Sequence, residues 1–284
     1  MNKNIVKKDN VLINASYTLT LAEQRLILLA IVDADGQPDA LRDLQVHASA
    51  YADRFNVSIK TAYEAIQDAT KNLFERRFSY RRLTAKGHSR LVVSRWVERV
   101  EYAESEGLVN LRFASDVIPL LCDLQNRFTY YGLEQVAHLT SVHAVRLYEL
   151  LIAWRSTGKT PFFDIADFRE KLGIEPHEYT RMANFKARVL DAAIAQINEH
   201  TDIFVVYEQH KRGRTVSGFT FTFKQKKLPC NPKIIDLIDG TVDAEKRQSI
   251  TKAQAESLAR PGETWPDLIS RLSGKYCTAR LRIK

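Results

Sequence analysis

The sequence has no apolar run approaching the ~18 residues a membrane-spanning helix needs. Its opening, Met1 to Asn10, carries lysines with no apolar core of the signal-peptide kind behind them. Both absences predict a chain that stays in the cytoplasm and away from membranes. Cysteine is scarce. Cys122, Cys230 and Cys277 are odd in number and far apart, with no Cys-x-x-Cys and no histidine pair nearby, which excludes a disulfide framework and a structural zinc site. The seven histidines include no His-apolar-His pair close to a tyrosine, as a metal-dependent nickase would want, and no Asp or Glu cluster stands out as a two-metal nuclease. Thr157-Gly-Lys-Thr160 lacks the first glycine of a P-loop, where Ala153 stands, and it follows a helical pattern instead of joining a strand to a helix. No cofactor or metal is expected.

What is present is enough for two globular domains: 284 residues, 45% hydrophobic and 27% charged, which rules out wholesale disorder. Lys plus Arg outnumber Asp plus Glu by 42 to 34, a formal charge of +8 that permits a polyanionic partner. The distribution is more telling than the total. Between Arg76 and Arg99 stand eight cations (Arg76, Arg77, Arg81, Arg82, Lys86, Arg90, Arg95, Arg99) against one acid, Glu98. Between Lys211 and Lys227 stand six against none. A charge run is most often a solvated face, but two of them in strand-like, aromatic-bearing segments point toward nucleic acid.

The chain reads as two copies of one plan. The first opens with a helix over Leu19 to Ala34, in which Thr20 and Glu23 form a capping box, and which stops by Asp35-Gly36. An apolar stretch, Leu44 to His47, precedes a helix from Ser49 to Phe55, a break at Asn56 and a second helix from Ser58 to Phe74, a helix-turn-helix spacing. Phe78 to Arg82 and Leu91 to Val97 then read as the two strands of a hairpin with Gly87 at its tip. A hairpin after a helix-turn-helix is a winged helix. The second copy opens with a helix over Thr140 to Arg155, continues through Pro161 to Ile165 into a helix from Ala166 to Leu172, and after Gly173 into a helix from Arg181 to Asn198. Ile203 to Tyr207, a Lys211-Arg-Gly-Arg214 tip and Val216 to Phe223 complete it. Tyr51-Ala-Asp-Arg-Phe55-Asn-Val57 and Phe168-Arg-Glu-Lys-Leu172-Gly-Ile174 share aromatic, acid, base, apolar, turn residue and apolar, so the residues repeat as well as the elements.

In the last strand, Phe219-Thr-Phe-Thr-Phe223, one face is aromatic and buried while Thr220 and Thr222 are expected to look outward. Leu108 to Phe113, a helix over Asp116 to Leu124 and Leu133 to His138 are read as the connection between the halves. The expected fold is therefore α+β, two tandem winged-helix domains, at 1–132 and 133–227, with a proline-punctuated polar tail at 228–284. Trp96, Trp154, Phe162 and Phe163 are expected in the core. The stretch Leu26 to Val32 is apolar on more than one face and asks for cover by a neighbouring domain or a second subunit.

On the helix Arg181 to Asn198, the residues Met182, Phe185, Val189, Ala193 and Ile197 share one face, leaving Arg181, Asn184 and Arg188 on the other near its start. Recognition helices present that end to base edges, where arginine forks grip guanine and asparagine pairs with adenine. Lys211, Arg212 and Arg214 at the wing tip would reach a phosphate or the minor groove. The first copy's helix carries Ser58, Lys60, Thr61 and Glu64 and is less cationic, so its wing, with Arg81, Arg82, Lys86 and Arg90, is expected to hold backbone more than its helix reads bases.

Leu124-Gln-Asn-Arg-Phe128-Thr, Ala144-Val-Arg-Leu-Tyr-Glu149, Tyr179-Thr-Arg-Met182, Asn184-Phe185-Lys186, Asn14-Ala-Ser-Tyr17 and Gln24-Arg-Leu26 together resemble the initiator proteins of iteron-controlled plasmids, the Rep_3 family, over about Ile5 to Gln225. The resemblance implies binding of double-stranded DNA at repeated origin sites as a monomer, homodimers that repress synthesis of the protein itself, and recruitment of a host replication initiator and helicase. It maps base reading onto Arg181, Asn184, Lys186 and Arg188. The tail after Leu228 lies outside it. Two other readings compete: a nicking or strand-transfer enzyme built on Tyr179 with His143 and Arg146, and a plain dimeric transcriptional repressor. Against the first, Leu147, Tyr148, Leu150 and Leu151 make the surroundings a core helix, with His143 and Arg146 at its polar margin.

Overall fold

A computed structural model describes residues 4–34, 43–83, 87–103, 106–122 and 128–226. Expectations for Asp35-Gly36, Lys86, Leu124, Cys230, Cys277 and the tail at 228–284 fall outside those residues.

The chain begins with β1 (Ile5–Asp9), the single turn α1 (Asn10–Ile13), β2 (Ser16–Tyr17) and the long α2 (Leu21–Ala34). The capping box that starts α2 is formed as expected: the Thr20 amide donates to the Glu23 carboxylate at 2.7 Å and the Glu23 amide to the Thr20 hydroxyl at 3.2 Å. Leu26 to Ile31 of α2 are all buried. The cover comes from the chain itself, because α2 packs on β1 and on the three elements that follow it, β3 (Leu44–His47), α3 (Ala48–Phe55) and α4 (Ile59–Leu73). The all-round apolar character of that helix is therefore no argument for a second subunit.

The turn between α3 and α4 is made by Asn56, which ends α3 at a left-handed φ of 49°, and by Ser58, whose hydroxyl accepts from the Thr61 amide at 3.1 Å to cap α4. The first wing follows as β4 (Arg77–Leu83) and β5 (Ser89–Arg95). Its second strand ends sooner than the apolar run suggests. The chain turns at Trp96 and enters a different sheet through β6 (Val97–Ala103), paired with β7 (Leu108–Phe113), which in turn pairs with β3. Leu108 to Phe113 is thus the central strand of the first domain's sheet and not a connection. Trp96 is pinned at the change of sheet, fully buried and edge-on to Tyr17 with ring centroids 4.9 Å apart.

The passage to the second half runs through α5 (Ile118–Cys122), β8 (Phe128–Gly132), which returns to pair with β1, and α6 (Glu134–Ala137). Then come α7 (Val142–Ile152), β9 (Phe163–Asp164) and α8 (Ile165–Lys171). Gly173, at a φ of 73°, occupies the place that Asn56 holds in the first copy. The recognition-helix position is taken by α9 (Met182–Phe185), a π-helical turn over Lys186–Leu190 and α10 (Asp191–His200), and the second wing is β10 (Ile203–Arg212) with β11 (Thr215–Gln225). Phe219, Phe221 and Phe223 point inward as the period of two requires, and Phe168 packs on Phe219, Phe221 and Phe185 at centroid distances of 5.9, 5.5 and 6.3 Å. Thr222 is exposed, but Thr220 is only 8% exposed, because its hydroxyl lies 2.8 Å from His210 Nε2 on the other face of the sheet. Two aromatic expectations also change: Phe163 and Trp96 are core residues, whereas Phe162 is 50% and Trp154 38% exposed.

One buried polar network ties the N-terminal segment to the second helix-turn-helix. Arg146 is 1% exposed, not marginal. Its guanidinium donates to Glu149 at 2.9 Å, to the Tyr17 hydroxyl at 2.5 Å and to the carbonyls of Ile13, Ala15 and Lys171 at 2.9 to 3.1 Å. Lys8 and the Tyr131 hydroxyl each reach the Glu149 carboxylate at 2.6 Å. Burial alone would push Glu149 up, but the Lys8 and Arg146 cations beside it hold its carboxyl below the usual range, while burial lowers Lys8. A buried charge is tolerable only when it is paired, and here Glu149 stands as the counter-charge to both Lys8 and Arg146.

Candidate nucleic-acid interface

The helix-turn-helix of the second domain is set by Arg169 of α8. Its guanidinium donates to the carbonyls of Glu178 and, at 3.1 Å, of Tyr179, closing the turn in which Tyr179 takes a φ of 42°. The turn delivers Arg181 to the N-cap of α9. Phe185, Val189, Ala193 and Ile197 are buried, and Arg181, Ala183, Asn184, Ala187 and Arg188 are exposed. Among the described residues, the side chains of Arg181, Asn184 and Arg188 have no hydrogen bond or ion pair, so three hydrogen-bonding groups suited to base edges stand together on one exposed face.

Lys186 behaves differently from its neighbours. Its ammonium is half-buried, donates to Gln209 Oε1 of β10 at 3.1 Å and lies 5.6 Å from the Tyr207 ring. The Tyr207 hydroxyl in turn donates to Asp191 at 2.8 Å, and burial together with that carboxylate pushes its pKa up to about 12. Helix and wing are thereby clamped to each other just below the basic tip. At the tip, Gly213 at a φ of 64° makes the reversal, a bulge between His210 and Lys211 twists the ribbon, and Lys211, Arg212 and Arg214 are all exposed.

In the first domain the basic run divides. Arg76 is paired with the capping-box carboxylate of Glu23 at 2.9 Å, Arg95 with Glu75 at 3.3 Å, and Arg99 with Asp43 at 3.1 Å. Arg81, Arg82 and Arg90 stay exposed on the wing. Arg82 and Arg90 are direct cross-strand partners, an arrangement that costs hairpin stability unless something anionic lies over it. Lys60 is exposed, and the Thr61 hydroxyl is 2.8 Å from that of Ser58 at the helix cap. No local pattern shows Lys186 turning toward Gln209, since the two lie 23 residues apart.

The residues suspected of enzymatic roles have structural employment. Arg146 spends its guanidinium inside the buried network, and His143 Nδ1 sits 3.2 Å from the Leu172 carbonyl, its ring edge-on to Tyr179. In Thr157-Gly-Lys-Thr160 the Thr157 hydroxyl donates to the Trp154 and Lys159 carbonyls, and Thr160 Oγ1 accepts from the Phe221 amide at 3.0 Å. That segment staples α7 to β11.

Two helix-turn-helix units, each completed by an antiparallel hairpin, define a tandem winged-helix protein. Residues 5–152 match the profile described as initiator replication protein, WH1, and residues 164–223 the one described as initiator Rep protein, WH2. The chain belongs to this family of DNA replication initiators, as the dispersed motifs anticipated. A replication initiation protein of Escherichia coli is 26% identical over 231 residues, covering 78% of this chain and 70% of that protein. The PI protein of Escherichia coli is 25% identical over 252 residues, covering 78% and 83%. Among solved structures, the Pi initiator protein in complex with iteron DNA shares the fold, with a TM-score of 0.66 at 22% identity over 80% of this chain and 100% of that one.

Proposed function

We propose that this protein is a non-enzymatic plasmid replication initiator that binds repeated double-stranded origin sites, iterons, in a sequence-specific way. The observation that carries the proposal is the exposed, unpaired set Arg181, Asn184 and Arg188 on a helix clamped to a basic wing. In this reading the second domain, 133–227, reads bases in the major groove. Lys211, Arg212 and Arg214 hold phosphate or the adjoining minor groove. The first domain, 1–132, adds backbone grip through Arg81, Arg82, Lys86 and Arg90, with Lys60 and Thr61 at the start of its helix. The Pi initiator protein, seen in complex with iteron DNA, supports the choice of repeated sites over a single operator.

A homodimer in equilibrium with the monomer, repression by that dimer, contact with a host replication initiator and helicase, and residence in the cytoplasm beside the plasmid rest on the family likeness. The nicking alternative is disfavoured because the arginine it requires, Arg146, is buried with its guanidinium already engaged.

Binding measured against salt for Arg188→Ala and Arg82→Ala tests the division of roles. Arg188→Ala is expected to lose about 1 to 3 kcal/mol of preference for the cognate duplex over a scrambled one. Arg82→Ala is expected to weaken both duplexes alike and to flatten the slope of log K against log salt by about 0.9. Identical behaviour of the two variants would remove the assignment.

A further inference from the structure

The recognition helix is interrupted by one wider turn. From Phe185 the buried residues Val189, Ala193 and Ile197 follow in steps of four, with Leu190 buried beside Val189. In an α-helix of 3.6 residues per turn, four residues overshoot a full turn by about 40°, so three consecutive steps of four drift by about 120° between Phe185 and Ile197. One extra residue accommodated in a wider turn absorbs about 100° of that drift. The π-helical turn over Lys186–Leu190 covers the first of these steps and runs one residue past it, and Phe185, Val189, Ala193 and Ile197 are all buried. Both ends of the turn are fastened to the wing strand: Lys186 at its start donates to Gln209, and Asp191 just past its end accepts from Tyr207.

We infer that this π-turn, held against β10 by Lys186, is a specificity device that sets the position of Arg188 relative to Arg181 and Asn184. Lys186 then acts as a positioning residue and not as a contact to DNA. The inference rests on the base-reading proposal above. Arg181 and Asn184 precede the turn and Arg188 lies inside it, so the turn's geometry decides which base pairs the two parts of the face meet together. π-turns inside α-helices recur at functional sites, where they re-aim side chains. Here the re-aimed side chain is the arginine fork, and the wing strand is what keeps it aimed.

Deletion of Ala187, an exposed residue of the turn, provides the test. It shortens the run from Phe185 to Ile197 to steps of three, four and four, eleven residues that close about three turns of an unbroken α-helix. Sites selected from a random duplex library by the unaltered protein, by Arg188→Ala and by the deletion variant are compared, with thermal melting to verify folding. The positions that lose preference in Arg188→Ala define those read by Arg188. The deletion variant is expected to keep the salt slope, and to move those positions relative to the ones read by Arg181 and Asn184 or to lose preference there by roughly tenfold. An unchanged site in the folded deletion variant would overturn the inference. If Arg188→Ala itself loses no preference, base reading by this helix fails instead.

Lys186→Met, which keeps the aliphatic stem, decides the matter should the deletion not fold. Weakened preference at the Arg188 positions with an unchanged salt slope, restored in part by Lys186→Arg, is expected. A slope smaller by about one with the site unchanged would make Lys186 an ordinary phosphate contact and overturn its positioning role. No change in either quantity would overturn it as well.

Discussion

At the scale of single residues, the strongest constraint is Glu149, the one acid between two buried cations, Lys8 and Arg146. Glu149→Gln keeps the shape but leaves two positive charges in the interior without a counter-charge, so it is expected to destabilise the fold by about 3 to 5 kcal/mol, measured by urea unfolding. A loss below ~1 kcal/mol would mean that water reaches the network. His143 gives a pH signature. Burial holds its pKa below the ordinary 6.5, so the folded chain keeps the ring neutral where the unfolded chain already takes up a proton. Stability is therefore expected to fall as pH drops from 6.5 toward the lower folded value and to be flat above 6.5. His143→Gln should remove that part of the slope. A slope that persists unchanged in the variant would assign it to another group.

At the scale of elements, the first wing exchanges stability for charge. Arg82 and Arg90 face each other across β4 and β5. Converting that like pair to an opposite one with Arg90→Glu is expected to stabilise the free protein by about 0.2 to 1 kcal/mol in a thermal melt. The same change should weaken DNA binding on all sequences. Tighter binding by this variant would remove the first wing from the interface. Elements also show what the sequence could and could not tell. The capping box of Thr20 and Glu23, the left-handed turns at Asn56 and Gly173 and the inward phenylalanines of β11 are local patterns, legible because the partners lie within four residues or share one strand. The change of sheet at Trp96 was hidden, because Leu91 to Val97 reads as one apolar run and what divides it is pairing with β7 farther along the chain. Arg146 was misplaced for the same reason: Lys8, Tyr17, Ile13 and Ala15, which bury it, lie more than 100 residues away. That Arg181, Asn184 and Arg188 share an exposed face is legible from helical spacing alone, whereas the contact from Lys186 to the wing requires the fold.

At the scale of the whole molecule, the proposed function gives the two winged helices different parts of one binding reaction. In the proposed function, the second offers the unpaired forks of Arg181 and Arg188 and the amide of Asn184 on a clamped helix for discriminating among sequences. The first offers exposed arginines on a ribbon, to which the same proposal assigns affinity that any duplex shares and that salt removes. A tandem reader of this kind predicts a site longer than one helix could cover, with sharp preference in one part and tolerance in the other. The most direct test is selection of bound duplexes from a random library, repeated with Arg188→Ala. The account predicts one defined site of roughly two adjacent major grooves, in which the variant loses its preference at a distinct subset of positions. Recovery of no common sequence by the unaltered protein would mean that the basic wings bind backbone alone, and would contradict the central claim.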